Sequence, residues 1–271
     1  MIKRILMAAV LLPVSLILVF MENRYPFLIF VSIALTAALN EMYVMFDKKN
    51  MKNFRMVGLM FGAVIYAMLI LDFKMWLYFY AVALFIMGLF ALLLITRDVE
   101  SFPKIIYTIA PVFFISTLGA FGILLRQLEN GSWWLFVLFA LTMSYDAGAY
   151  FIGSAMGRHK LIPELSPGKT VEGAAGGMII NAAVITALYF FVLPEVLSDI
   201  PDMLMHLIIL SVIMSVVGQG GDISVSVIKR FTGVKNASNI LPGHGGVLDR
   251  IDSLLFNAPV LYFYIKSFLA V

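Results

Sequence analysis

Long apolar runs, separated by short polar stretches, follow one another along almost the whole chain. A helix needs roughly 20 apolar residues to cross a bilayer core about 30 Å thick, so runs of this length predict membrane spans. The pattern therefore predicts an all-α polytopic membrane protein with about nine transmembrane helices. The predicted spans are 5–21, 26–46, 56–72, 75–96, 105–125, 133–155, 174–193, 203–220 and 254–270.

The spans form no visible internal repeat, and no soluble domain interrupts them. We expect a single integral membrane domain over 1–271. Its N-terminal part, 1–132, consists of helical spans, and its second part, 133–271, is expected to be the catalytic half. The glycines within 218–221 predict a break in the eighth span, because glycine is costly in a helix interior. Glu22 follows the first apolar run without a small-residue cleavage site, so we interpret that run as a retained helix.

Composition supports the membrane assignment. The chain has 271 residues, of which 62% are hydrophobic and 13% are charged, whereas a soluble domain of this length would carry far more polar surface. The sequence contains no cysteine, which excludes disulfides and thiolate metal sites.

The basic residues predict the orientation, because loops on the cytoplasmic side carry an excess of Lys and Arg. With the N-terminus inside, all but four of the 19 Lys and Arg fall in inside segments. The four that fall outside are Arg24, Lys74, Arg126 and Lys266. The two longest polar segments, 156–173 and 221–253, then both face the cytoplasm.

Asp146 lies inside the sixth predicted span, four residues before Tyr150 and on the same helix face. A charged residue in a span costs about 2.5–3.5 kcal/mol on insertion scales, so it usually faces a cavity or a partner. Asp146 is therefore expected either to have a functional role or to form an ion pair that stabilises the fold. Gly148, Gly153 and Gly157 are interpreted as helix-packing positions. Glu41, near the end of the second span, is expected to reach the interface and is given no role.

A second polar motif precedes the seventh span and contains Ser166, Lys169 and Thr170. Gly-Lys-Thr resembles part of a P-loop, but Pro163 stands where that loop needs a glycine and no strand is expected before it. Thr170 and Glu172 instead predict a helix start, with Lys169 in the first turn beside backbone N–H groups that could hold an anion. A helix cap with a solvated lysine explains the motif equally well.

The third polar segment, 218–252, is the most informative. If 222–232 is helical, Asp222, Ser226, Lys229 and Arg230 share one face. A glycine-rich loop containing His244, Gly245 and Gly246 follows, and its N–H groups could cradle phosphate oxygens. Asp249 and Asp252 then open the last helix. Carboxylates among cations and glycines are what a metal–nucleotide site requires, since Mg²⁺ takes one or two carboxylates together with substrate phosphates. An ordinary basic cytoplasmic loop is the alternative.

The stretch from Ser226 to Asp252 resembles the signature of the phosphatidate cytidylyltransferases, also called CDP-diacylglycerol synthases. The matching residues are Ser226, Lys229, Arg230, Lys235, Pro242, His244, Gly245, Gly246, Asp249, Arg250 and Asp252. The segments around Asp146 and around Lys169 are also similar to segments of that family. Asn236 stands where the family usually has Asp, so one negative charge of the pattern is missing.

The resemblance implies an enzyme of the inner membrane that transfers the cytidylyl group of CTP to phosphatidic acid, releasing pyrophosphate. Asp222 and Asp249 are expected to bind Mg²⁺, with Asp146 and Asp252 as secondary candidates, and the carboxylate count leaves room for a second cation such as K⁺. The groups expected to hold or orient the substrates are Ser166, Lys169, Thr170, Ser226, Lys229, Arg230, Lys235, His244, Gly245, Gly246 and Arg250.

Three other functions are weighed against this one. A CTP-dependent polyprenol or phytol kinase would handle the same nucleotide but transfer its γ-phosphate. An ion-coupled transporter could use Asp146, although its site would lie between inverted repeats at the midplane. A non-catalytic scaffold would not need the glycine-rich loop. We expect membrane lipid as a partner and no nucleic acid, and the spacing of small residues is compatible with a homodimer.

Overall fold

The computed structural model describes residues 13–97, 101–193, 200–241, 243 and 245–269, and these residues are mostly helical. Helix α1 covers 13–20 of the described chain. The helices that follow are α2 (Tyr25–Lys48), α3 (Arg55–Ile70), α4 (Met75–Thr96), α5 (Phe102–Gln127), α6 (Gly131–Met156), α7 (Val171–Phe191), α8 (Met203–Phe231) and α9 (Leu248–Tyr264). A π-helical segment, Ile265–Leu269, continues α9.

Five of the described helices, α2, α5, α6, α7 and α8, are long and apolar enough to cross a membrane. Helix α3 and the segment Leu77–Leu92 of α4 are shorter apolar helices. Large apolar side chains such as Phe191, Ile95 and Leu94 are well exposed on the protein surface, as expected where lipid takes the place of water. The helical membrane architecture is therefore confirmed, while the count of nine crossings stays a prediction.

A short antiparallel hairpin lies between α6 and α7, where the sequence predicted no strand. Strand β1 (Lys160–Ile162) pairs with β2 (Ser166–Thr170), with Lys160 opposite Thr170 and Ile162 opposite Ser166. Helix α7 begins directly after the hairpin, and the Thr170 hydroxyl caps it by accepting a hydrogen bond from the Gly173 N–H at 3.1 Å. The predicted helix start is thus confirmed for Thr170, but Lys169 belongs to a strand and not to the first helical turn.

The chain forms two compact units, and the first contains the helices up to Leu124 together with Lys229–Ile251. Within it α2, α3 and α5 pack through buried polar contacts as well as apolar ones. The Tyr43 hydroxyl donates to the Thr108 carbonyl at 2.7 Å, and the Tyr66 hydroxyl donates to Ser116 Oγ at 2.9 Å. Ser116 lies in a π-helical segment that follows Pro111, so α5 continues past a proline that cannot donate a backbone hydrogen bond.

The second unit contains Leu125–Ile228 and Asp252–Val271. Helices α6 and α7 pack closely because glycines lie at their contacts. A Cβ at Gly148 would lie 2.9 Å from Ile180 Cβ, and one at Gly173 would lie 3.0 Å from Gly153 Cα. A Cβ at Gly157 would lie 2.7 Å from the Thr170 side chain. The interpretation of Gly148, Gly153 and Gly157 as packing positions is therefore confirmed.

A buried polar network adds to the packing of the second unit. The Asn181 side chain, fully buried in α7, donates to the Ser211 carbonyl at 3.1 Å and to Ser215 Oγ at 2.9 Å. It also accepts a hydrogen bond from the Ser144 hydroxyl at 2.6 Å. Hydrogen bonds between polar side chains on apolar helices stabilise their association where water cannot compete.

The predicted break in the eighth span is wrong. Helix α8 runs without interruption over 29 residues and includes Gly218, Gly220 and Gly221. Gly218 and Gly221 are buried, and a Cβ at Gly221 would lie 2.6 Å from the Asp252 carbonyl oxygen. These glycines therefore allow α9 to approach α8 closely, which offsets their poor helix propensity.

Candidate functional site

The glycine-rich loop of the first unit is organised around Asp249, in the first turn of α9. The Lys229 ammonium forms an ion pair with Asp249 Oδ1 at 2.6 Å, and the two side chains are only 13% and 8% exposed. Asp249 Oδ2 accepts hydrogen bonds from the N–H groups of Ala237, at 3.0 Å, and Gly246, at 2.9 Å. One carboxylate thus neutralises a buried cation and joins both ends of the loop.

Glu41 is a second buried carboxylate in the same unit. It lies in α2, is 1% exposed, and accepts a hydrogen bond from the Ser238 hydroxyl at 2.6 Å. The N–H groups of Val247 and Leu248 donate to its two oxygens, each at 2.9 Å. The expectation that the Glu41 side chain extends outward to the membrane interface is therefore wrong, because the side chain is buried against the loop. Its position inside an apolar span was the available signal, because buried charges in spans are expensive and usually functional.

Successive backbone N–H groups of this loop already donate hydrogen bonds to carboxylates. The N–H groups of Gly246, Val247 and Leu248, which are successive along the chain, donate to Asp249 or Glu41. Gly245 has a positive φ of 84°, a conformation that side-chain-bearing residues seldom adopt. The glycines thus let the loop close onto its two acids, whereas the sequence pattern suggested that they let a ligand approach.

A cavity of about 410 Å³ opens beside the loop, within the first unit. Lys48, at the end of α2, and Lys235, far from it in sequence, both line the cavity. Its other lining residues are Val44, Asn236, Ala237, Ser238 and Asn239. The described lining residues include two cations and two side-chain amides and no carboxylate, so the cavity is suited to an anion. Asn236, the position where the sequence comparison expected an acid, also lines this cavity.

The second unit holds a cluster around Asp222 of α8. The Lys169 ammonium, carried by β2, lies 2.9 Å from Asp222 Oδ2. It also lies 3.5 Å from the Gln219 carbonyl oxygen. The Ser226 hydroxyl lies 3.5 Å from Asp222 Oδ1, as expected for residues four apart on one helix face. The structure therefore joins two motifs that are about fifty residues apart in sequence.

This pair is more accessible than the pair in the first unit. The side chains of Lys169 and Asp222 are 21% and 35% exposed. Neighbouring Tyr145, which is buried, donates a hydrogen bond from its hydroxyl to Gln219 Oε1. The Asp222 carboxylate is thus partly accessible from the protein surface, and polar groups lie beside it.

The remaining predicted residues occupy varied environments. Asp146 is exposed on α6, and Asp252 is buried in α9, where Oδ1 accepts from the Ser253 N–H at 2.9 Å. Arg230 and Arg250 are exposed, and Ser166 is half-buried in β2. The prediction for His244 lies outside the described residues.

The described residues contain no cluster of three or more His, Asp or Glu side chains that could hold a metal ion. Asp222 belongs to the second unit and Asp249 to the first. Their assignment as metal ligands, with Asp146 and Asp252 as secondary candidates, stays a prediction.

Comparisons with known proteins extend the similarity beyond these motifs. A profile described as "Cytidylyltransferase family" matches residues 2–268. A Bacillus subtilis protein named phosphatidate cytidylyltransferase is 32% identical over 277 residues, which cover 98% of this chain and 98% of the relative. A Staphylococcus saprophyticus protein of the same name is 45% identical over 128 residues, covering 46% of this chain and 47% of the relative. One from Haemophilus influenzae is 41% identical over 163 residues, or 56% of each chain.

Proposed function

Because the chain belongs to the cytidylyltransferase family, we propose that it transfers the cytidylyl group of CTP to phosphatidic acid. The products are CDP-diacylglycerol and pyrophosphate. The observation that carries this proposal is the similarity to the Bacillus subtilis phosphatidate cytidylyltransferase over 98% of both chains. The two clusters of paired lysine and aspartate side chains supply the charges that such chemistry needs.

The reaction joins two polyanions. A phosphate monoester has a second pKa near 6, so the phosphatidate headgroup is mostly dianionic at neutral pH and needs no general base. One of its oxygens forms a bond to the α-phosphorus of CTP, and the bond from that phosphorus to the bridging oxygen breaks. The electron pair leaves with pyrophosphate. The protein's task is to position the reactants and to stabilise their negative charge.

Lysine and arginine side chains are proposed to hold the phosphates. Lys169 and Lys229 are already fixed by ion pairs with aspartates, so their ammonium groups are positioned before substrate arrives. Lys235 lines the anion-suited cavity beside the loop. Arg230 and Arg250 are exposed and can reach solutes. Ser226 is proposed to orient a phosphate through its hydroxyl.

Magnesium is the proposed cofactor, with Asp222 and Asp249 as its candidate ligands. The donor chemistry fits best at Asp222, since Mg²⁺ prefers carboxylate oxygens and uses only one or two of them beside substrate phosphates. At Asp249 the Lys229 ammonium occupies Oδ1, so a metal ion there would take the place of that contact. Asp222 is partly exposed, and its Oδ1 meets only the long Ser226 contact among the described hydrogen bonds. When bound, the ion neutralises charge on the polyphosphate. A second cation such as K⁺ remains part of the proposal.

The membrane setting is proposed from the basic residues. With about nine crossings and the N-terminus inside, the segments 156–173 and 221–253 face the cytoplasm of the cell. That placement lets water-soluble CTP reach a site that also meets a lipid substrate.

Reconstitution tests the proposed function. We expect the purified chain in vesicles containing phosphatidic acid, with CTP and Mg²⁺, to release pyrophosphate and form CDP-diacylglycerol in equal amounts. Asp222→Asn is expected to lower this rate at least about tenfold, as typical for loss of a group that positions metal or phosphate. Asp47 is an exposed carboxylate at the end of α2. The matched control, Asp47→Asn, is expected to leave the rate unchanged.

The products separate this function from its nearest alternative. A lipid kinase would release CDP and give a phosphorylated polyprenol, without pyrophosphate. Release of CDP alone, or the absence of any nucleotide turnover by the native chain, would contradict the proposal.

A further inference from the structure

Each described hydrogen bond of the Glu41 carboxylate comes from the same loop. Its three described hydrogen bonds come from the Ser238 hydroxyl and from the N–H groups of Val247 and Leu248, at 2.6 to 2.9 Å. An ionised carboxylate only accepts hydrogen bonds, and all three of these partners can donate. Val247 and Leu248 lie at the start of α9, where the helix dipole favours a negative charge.

Glu41 and Asp249 hold the same two stretches of chain from different sides. Asp249 accepts hydrogen bonds from the N–H groups of Ala237 and Gly246. Glu41 accepts hydrogen bonds from the neighbouring residues Ser238 and Val247. A backbone hydrogen bond from the Leu241 N–H to the Gly245 carbonyl, 3.0 Å long, also joins these two stretches. The position of the Asp249 carboxylate therefore depends on a loop that Glu41 fixes.

Gly246 makes room for this contact. A Cβ at position 246 would overlap the Glu41 carboxylate, since the surrounding loop already brings the two together. The absence of a side chain at 246 is thus explained by the approach of an acid from α2, without invoking a ligand.

We propose that Glu41 is a positioning residue for the nucleotide site. It acts through Ser238, Val247 and Leu248, which fix the segments that hold Asp249, and Asp249 in turn fixes Lys229 for the triphosphate of CTP. This inference rests on the proposed function, because it names the part of that site which Glu41 supports. It adds a residue from the N-terminal spans to machinery that the sequence motifs placed wholly in the second half of the chain.

Kinetics of Glu41→Gln test the proposal. Glutamine keeps the size of the side chain but places an NH₂ group against donors, so the loop loses at least one hydrogen bond. We expect the CTP concentration at half-maximal rate to rise roughly 10- to 100-fold, the range typical of groups that orient metal-site ligands. The KM for phosphatidic acid should stay within about twofold, since the loop acts on the nucleotide. Ser238→Ala, which removes one of the three bonds, should give a smaller rise.

Two further variants sharpen the test. Gly246→Ala should reproduce the effect of Glu41→Gln, and the double variant should be little worse than either single one, because both remove one contact. Asp47→Asn removes a charge from the same helix without touching the loop and should leave the KM for CTP unchanged. Hydrogen exchange of the Val247 and Leu248 amides should accelerate in Glu41→Gln and not in Asp47→Asn.

A KM for CTP that is unchanged in Glu41→Gln would overturn the inference, even if less folded protein were recovered. An equal effect of Asp47→Asn would also overturn it. Equilibrium binding of CTP with Mg²⁺ separates this inference from the proposed function. If the native chain binds the nucleotide without turning it over, the function fails, and weaker binding by Glu41→Gln still supports the positioning role. If the native chain binds no CTP, both are wrong.

Discussion

The buried pair of Lys229 and Asp249 makes a prediction that separates stability from activity. At 2.6 Å, two unit charges attract by about 6 kcal/mol at an effective dielectric constant near 20. Because both side chains are nearly buried, Asp249→Asn leaves an ammonium group in an environment that cannot solvate it. Loss of one member of a buried pair typically costs about 3–5 kcal/mol, and we expect the free energy of unfolding to fall by that amount.

Removing the cation as well should restore most of this stability. Replacement of a whole buried ion pair by uncharged groups is often nearly neutral, so Lys229→Met combined with Asp249→Asn should recover to within about 1–2 kcal/mol of the native chain. Formation of CDP-diacylglycerol should not recover, because Lys229 is proposed to hold the phosphates of CTP and Asp249 to bind their metal ion. Stability is measured by unfolding in mixed detergent micelles with increasing dodecyl sulfate, and activity in the same micelles.

The comparison of single and double variants decides the matter. If Asp249→Asn is as stable as the native chain, Lys229 and Asp249 do not form a buried ion pair. If the double variant is no more stable than the single one, the cost arises from the lost N–H acceptors of Ala237 and Gly246 and not from the unpaired cation.

Three further predictions follow from individual contacts. Asp222→Asn should lower the unfolding free energy by less than about 1 kcal/mol, since its partner Lys169 is partly exposed, yet it should lose most of the activity. Gly221→Ala should cost about 1–3 kcal/mol in the same unfolding assay, because a Cβ there meets backbone at 2.6 Å. Gly220→Ala has open space around it and should be neutral or stabilising by up to about 1 kcal/mol. Thr170→Ala should lose about 1 kcal/mol with its helix cap, and serine at that position should retain it.

The sequence was sufficient for the helices because their signal is local. Apolar runs predicted the fourth span at 75–96, which coincides with α4, and the start of α7 followed from the cap at Thr170. The break predicted at Gly218–Gly221 failed for a physical reason. Glycine propensity is a property of one residue, whereas the close packing of α8 against α9 depends on residues 30 or more positions away.

Partners distant in sequence were harder to predict. The chemical types in the motifs predicted that Lys169, Asp222, Lys229 and Asp249 carry function, but their spacing could not tell which cation meets which carboxylate. Glu41 was missed because a single acid near the end of a span fits an interfacial position as well as a buried one. Only its neighbours in the folded chain, more than 190 residues later, distinguish the two.

The bond between Glu41 and Val247 joins residues 206 positions apart, and this separation has a consequence for biogenesis. At about 5–20 residues per second, a ribosome completes Val247 roughly 10–40 s after Glu41. During that interval the acid is in a nascent helix without its later hydrogen-bond donors, which is costly in an apolar surrounding. We therefore expect the Glu41 carboxyl to stay hydrated or protonated until the end of the chain has been synthesised.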